Sequence, residues 1–210
     1  MRVVGSSGLA RDFRQAEIDR HIEMVSRFVA ATKDRDEALR AVTLVLRSAS
    51  SGPAKAVVHL KGELLGAGIR ARAILAKLEP ADELRELFAT LAELAPDEKP
   101  CELIRWARNP RLLDAHEQAT YGTAMCWSGD PMRRDPDKRN ALALFDEAGT
   151  DRVRLARLAF AALWNASAPV PERLLTGTAV PKPCAADRAA PEAPVALLKA
   201  NIQGWPLVRH

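Results

Sequence analysis

The chain is poor in the residues that usually announce a chemical site. Aromatic side chains make up only 5% of its 210 residues, with one tyrosine, Tyr121, and the three cysteines Cys101, Cys126 and Cys184 stand far apart without a Cys-x-x-Cys doublet. Scattered thiols of odd number argue against a disulfide framework or a paired-ligand zinc site, and suit a reducing cytosol. There is no glycine-rich phosphate loop and no acid/base constellation at recognisable spacing. No apolar run approaches the ~18 residues that a membrane span needs, and residues 1–10 lack the apolar centre of a secretory signal. Net charge is +4, the small remainder of 31 basic and 27 acidic residues, so no single-sign field marks the chain for nucleic acid or an anionic membrane.

Alanine, leucine and charge dominate instead. Hydrophobic content of 48% with charged content of 28% is ordinary globular usage, and the residue types favour helices. Between Leu9 and Ala31, the residues Ile18, Ile22, Val25 and Val29 recur at the spacing of an amphipathic helix. Asp34 and Glu37 resemble a capping box for a second helix through Leu39, Val42 and Leu46, ended by Ser48 to Pro53. Pro53 suits the first turn of a third helix, which Gly62, Gly66 and Gly68 weaken so that it breaks near Gly66. The GxxxG spacing of Gly62 and Gly66 means only close packing outside a membrane. Leu84, Leu87, Phe88, Leu91 and Leu94 form the clearest helical face, with acidic residues in its first turn.

Further on, Leu103, Ile104 and Ala107 suggest a short helix. Asn109-Pro110 as an N-terminal cap and Gly122 as a C-terminal glycine bracket another from Arg111 to Tyr121. Asp135-Pro136 and Gly149 bracket residues 137–148 in the same way, and Thr150 caps a last helix through Val153, Phe160, Leu163 and Trp164. The expected fold class is all-α: a single bundle of about six or seven amphipathic helices over residues 1–166. Residues 167–210 hold seven of the fourteen prolines. This Pro/Ala-rich tail is expected to be extended or partly disordered, with a short C-terminal helix near Trp205 as the exception. Charge is also segregated, since residues 53–77 carry five Lys/Arg against one Glu and residues 79–98 carry seven Asp/Glu against one Arg; the two segments are expected to offset each other.

Within that frame residues 121–136, YGTAMCWSGDPMRRDP, read as a long connection between helices. Arg133 and Arg134, just before a helix start, are candidates for an anion pocket for phosphate or carboxylate, with Trp127 and Tyr121 beside them. The competing reading makes the segment structural, with Asp130 and Asp135 neutralising the arginines. Cys126 with His116 as base is a weak nucleophile pair, because nothing in the spacing joins them. Cys101, His116 and Cys126 are a weaker metal set still. His21 and His59 fall within helical patterns and read as surface or boundary residues. In residues 140–160, helix, Gly149 and helix succeed one another as in a helix-turn-helix. Its second helix carries Arg152, Arg154 and Arg157 as candidate DNA contacts, although an ordinary αα-hairpin makes the same pattern.

The functional expectation is a cytoplasmic regulatory or adaptor protein that binds a protein partner, with no metal, no cofactor, no membrane contact and no assigned catalytic residue. A DNA-binding regulator using residues 140–160 is the alternative. A helical enzyme acting on a phosphorylated or acidic substrate through residues 121–136 comes third.

Overall fold

A computed structural model describes residues 6–32, 40–134 and 142–176. Its architecture corrects the expectation of an all-α helical bundle: the described residues include a seven-stranded mixed sheet, so the fold is α/β. The elements are α1 (Ser6–Thr32), β1 (Ala41–Leu46), α2 (Gly52–His59), α3 (Lys61–Gly66), β2 (Arg70–Leu75), α4 (Ala81–Leu94), α5 (Pro100–Leu103), β3 (Ile104–Trp106), β4 (His116–Tyr121), β5 (Met125–Pro131), β6 (Ala143–Asp146), α6 (Thr150–Ala166), β7 (Ala168–Pro169) and α7 (Glu172–Thr176). The sheet order is β6-β5-β4-β1-β2-β3-β7. Strands β1, β2 and β3 run parallel, joined by helical crossovers, whereas β4, β5, β6 and β7 pair antiparallel to their neighbours.

The second expected helix is β1. Its sequence AVTLVL buries Val42, Leu44 and Leu46 on one face and Val45 on the other. A strand covered on both faces reads as a continuous apolar run, and over so few residues its spacing imitates that of a helix. The Asp34–Glu37 capping signal and Leu39 lie outside the described residues. Pro53 does stand in the first turn of α2. The third helix is interrupted at Leu60, earlier than expected, and α3 then ends at Gly66. Gly68, at φ 64°, turns the chain into β2, with Ile69 N–H bonded to Leu64 C=O at 3.0 Å, a C-terminal closure that only a residue tolerant of positive φ allows.

The helix expected from Arg111 to Tyr121 is a 3₁₀ turn, Pro110–Asp114, leading into β4. The expected cap is present, since Asn109 Oδ1 accepts from Arg111 N–H at 3.0 Å. The element behind it is only one short turn. Gly122 has the left-handed φ of 61° that its position suggested, but it turns the β4–β5 hairpin instead of closing a helix. Of the expected helix over residues 137–148, the described part contains the strand β6; residues 135–141 lie outside the described residues.

Two cores lie on opposite faces of the sheet. Helices α1, α2 and α4 cover one, where Met24, Val57, Leu87 and Leu91 meet Leu44, Leu46, Ala73, Leu75, Tyr121 and Trp127. The other is thinner: α6 lays Phe160, Leu163 and Trp164 against Val45, Ile74 and Met132. The basic and acidic segments pair as expected, through Lys55–Glu83, Lys61–Glu93 and Arg72–Glu98. Beyond Ser167, Ala168 and Pro169 form β7 against β3, and α7 comes next with Leu175 in the first core. Residues 177–210, including the expected C-terminal helix near Trp205, lie outside the described residues.

Candidate functional site

Residues 121–136 hold no long helix-to-helix loop, because Met125 to Pro131 form β5. Tyr121 and Trp127 are buried in the first core, at 1% and 3% exposure, and burial pushes the Tyr121 phenol well above its ordinary value. Arg133 and Arg134 stand past the far end of β5. Arg133 meets Asp114 at 2.9 Å in the open, and Arg134 meets Asp130 at 2.6 Å; Asp130 also accepts from Leu142 N–H at 3.1 Å. The structure thus separates the two aromatic residues from the two arginines. Cys126 is buried, and its thiol is raised by burial first and the Asp146 charge second. That shift is opposite to what a nucleophile needs. His116 Nδ1 lies 2.7 Å from Gly129 C=O. Among the described residues no group of His, Cys, Asp and Glu is placed to hold a metal ion, and no helix is long and apolar enough to cross a membrane.

The helix pair that a helix-turn-helix requires is not formed, since β6 precedes the Gly149 turn. Arg152 and Arg154 are paired with Asp146 and Asp151 at 3.5 and 3.6 Å. Arg157 is further along α6 and lines a groove.

The carboxyl ends of parallel strands, where open α/β sheets usually place ligands, are filled in this fold. Arg47, just past β1, and Glu117 on β4 form a buried ion pair at 2.9 Å with side-chain exposures of 13% and 8%. Glu117 accepts in addition from Arg47 N–H and Ser51 Oγ, both at 2.8 Å. A carboxylate so occupied by donors holds the loop before α2 in place and has little capacity left for a substrate. His21 of α1 is fully buried, contrary to the surface or boundary position expected from its helical pattern. Its ring lies 4.8 Å from Trp127 and 5.1 Å from Phe145, neither ring nitrogen has a hydrogen-bond partner among the described residues, and burial lowers its pKa to about 4.

The open site is on the other face, at the amino ends of β1 and β2. A groove of about 440 Å³ runs between these strands and α6, walled by Phe160 and Trp164 and lined by Arg70, Arg72, Arg157 and Glu98. Strand β2 builds one side by alternation: Ala71 and Ala73 face the first core while Arg70 and Arg72 project on the opposite face, half exposed. Arg72 grips Glu98 through Nε at 3.2 Å and Nη2 at 2.9 Å, and Arg70 approaches the same carboxylate at 3.9 Å. Three guanidinium groups therefore line the groove beside one carboxylate. Outside the lining, Arg105 donates to the carbonyls of Trp164 and Ser167 at 3.1 and 3.2 Å, satisfying the end of α6, and its guanidinium lies 5.0 Å from the Trp164 ring. The sequence singles out Arg157 only as a DNA contact and gives no prominence to Arg70 and Arg72. No known protein family, characterised protein or solved structure matches the chain.

Proposed function

We propose that the protein acts by binding a phosphate-bearing ligand in the groove between β2 and α6. The observation that carries this reading is the convergence of Arg70, Arg72 and Arg157 on a concave site holding one carboxylate, Glu98. Guanidinium groups match phosphate oxygens in pairs, and a concave site with a few convergent polar groups is the usual form of a ligand site. Binding is favoured over catalysis because the groove's carboxylate, Glu98, is held by two hydrogen bonds from Arg72 and its hydroxyl, Thr43, is bonded to Thr120 at 2.6 Å, so neither is set as a general base or nucleophile. The adaptor reading ranks second. Its structural support is the outward side of α6, where Leu155 and Leu158 are 61% and 62% exposed.

The test is calorimetric titration with inorganic pyrophosphate. The wild-type chain should bind, and Arg157→Ala should weaken binding about tenfold, as removal of one charge-assisted contact does. Arg157 is exposed and supports little of the fold, so thermal melting should be unchanged. Absence of binding, or equal binding by the variant, overturns the proposal.

A further inference from the structure

Helix α6 is apolar on two sides. Val153 and Phe160 are turned to the sheet, whereas Leu155 and Leu158 stand mostly exposed, with Ala159, Ala162 and Ala166 exposed beside them. The spacing of these last five residues places them on one outward stripe. Leu144 lies on the same side of the sheet, because the register Leu144–Ser128–Gln118–Val45 carries it to the face that α6 covers, and it too is half exposed. Among the described residues, three of the five exposed large apolar side chains are thus on the α6 side of the sheet, a concentration that marks a surface for another macromolecule.

From this stripe we infer that α6 pairs with α6 of a second copy of the chain, antiparallel about a twofold axis near Leu158 and Ala159. In that arrangement Leu155 falls against the partner's Ala162, and Leu158 against the partner's Ala159. Each large side chain meets a small one, so the stripe is complementary to itself, as a twofold contact requires. The charges of α6 agree with this pairing. Asp151, Arg152, Arg154 and Arg157 all lie in its first half, and residues 158–166 carry no charge. An antiparallel pair sets each charged half against an uncharged one and opposes the two helix dipoles; a parallel pair would set three arginines against three. An anionic membrane is a poorer occupant, because interfacial helices carry bulky apolar side chains where this stripe has three alanines. An acidic helix of another protein would draw on arginines of which Arg152 and Arg154 already have carboxylate partners. A single helix pair is smaller than the ~800 Å² per partner of a standard interface, so the dimer is weak and its population depends on concentration.

Sedimentation equilibrium of the full chain over roughly 1 μM to 1 mM, the range in which a small interface forms, tests the inference. The average mass should rise toward that of two chains. Leu158→Glu should weaken association about tenfold or more, as loss of a central apolar residue does. Ala162→Leu is the sharper variant: it enlarges the apolar surface, yet it should also weaken association by filling the space that Leu155 needs. Both positions are exposed, so thermal melting followed by circular dichroism should be unchanged in dilute solution. Added salt should have little effect, since the pairing keeps the arginines apart. A chain that stays monomeric throughout the range overturns the inference and leaves the stripe to a different partner. Equal association by Leu158→Glu also overturns it. So does tighter association by Ala162→Leu, the mark of a non-specific apolar surface, or strengthening by salt, the mark of arginines brought together.

Discussion

The backbone of Gly52 is pressed against the imidazole of His21: a Cβ at position 52 would come within 2.8 Å of His21 Cδ2. Glycine is required there by contact, since this is where the first turn of α2 meets the buried side of α1. Gly52→Ala should lower stability by about 1–3 kcal/mol, the usual cost of forcing extra volume into a packed interior. Urea denaturation would measure it, and a cost near zero would mean that α1 can give way at His21.

His21 should also make the fold acid-sensitive well above the carboxylate range. Its pKa of about 4 in the fold lies below the ordinary value of 6.5, because burial comes first and the Arg20 charge second in opposing the charged ring. Between those two values the unfolded chain binds a proton that the folded chain refuses, so stability falls as pH falls through this window and levels off below about 4. The difference corresponds to roughly 3 kcal/mol. Glu17, whose carboxyl is raised by burial and by Glu117, acts in the opposite sense and offsets part of it. Melting temperatures of the wild type and His21→Phe between about pH 4 and pH 7 should converge at the upper end and separate at the lower. Parallel curves would place the acid sensitivity elsewhere.

Arg47 and Glu117 form a second buried tie in the structure, joining the end of β1 to β4. Arg47→Met removes the 2.9 Å ion pair and leaves Glu117 charged in the interior, with Arg47 N–H and Ser51 Oγ as its remaining donors. The expected loss is about 3–5 kcal/mol. Replacing both residues together, Arg47→Met with Glu117→Leu, should recover part of it, since the carboxylate is no longer stranded while the backbone N–H of residue 47 and Ser51 Oγ lose their acceptor. If the double variant is no better than the single, the loss comes from packing of the arginine stem and not from the orphaned carboxylate.

The helices α1 and α4 were legible because they are long and amphipathic, and their apolar residues mark one face. Punctuation was legible too. Asn109 caps a turn and Gly122 is left-handed, but neither residue specifies the type of the next element, and both stand next to strands. The strands β1 and β5 hid for a different reason: each is buried on both faces, so the polar alternation that marks a half-solvated strand is missing. Strand β2 did carry that alternation in Arg70-Ala71-Arg72-Ala73, and those arginines became one wall of the groove. That period of two was the missed signal for both sheet and site. Arg157 could be singled out as an exposed helical cation, but its groove partners come from a strand about 85 residues earlier, and only the topology brings them together.

The same groove yields a last expectation through Glu98, the carboxylate that Arg72 holds by two hydrogen bonds, at 3.2 and 2.9 Å. Glu98 is 15% exposed while its partners Arg70 and Arg72 are 54% and 48% exposed, so the pairs are screened on one side by solvent and hold the fold by less than about 1 kcal/mol. Its main effect is on the field in the groove. Glu98→Gln removes the negative charge that an incoming phosphate must meet and frees Arg72 to turn toward it. Affinity for pyrophosphate should rise by roughly threefold to tenfold, equivalent to about 0.7–1.4 kcal/mol, and its dependence on salt should steepen because one more cation is available to the ligand. Calorimetry on the wild type and the variant at two salt concentrations measures both effects. Weaker binding by the variant would mean that the position Glu98 imposes on Arg72 matters more than the charge it removes. Glu98 would then belong to the site as the group that aims Arg72.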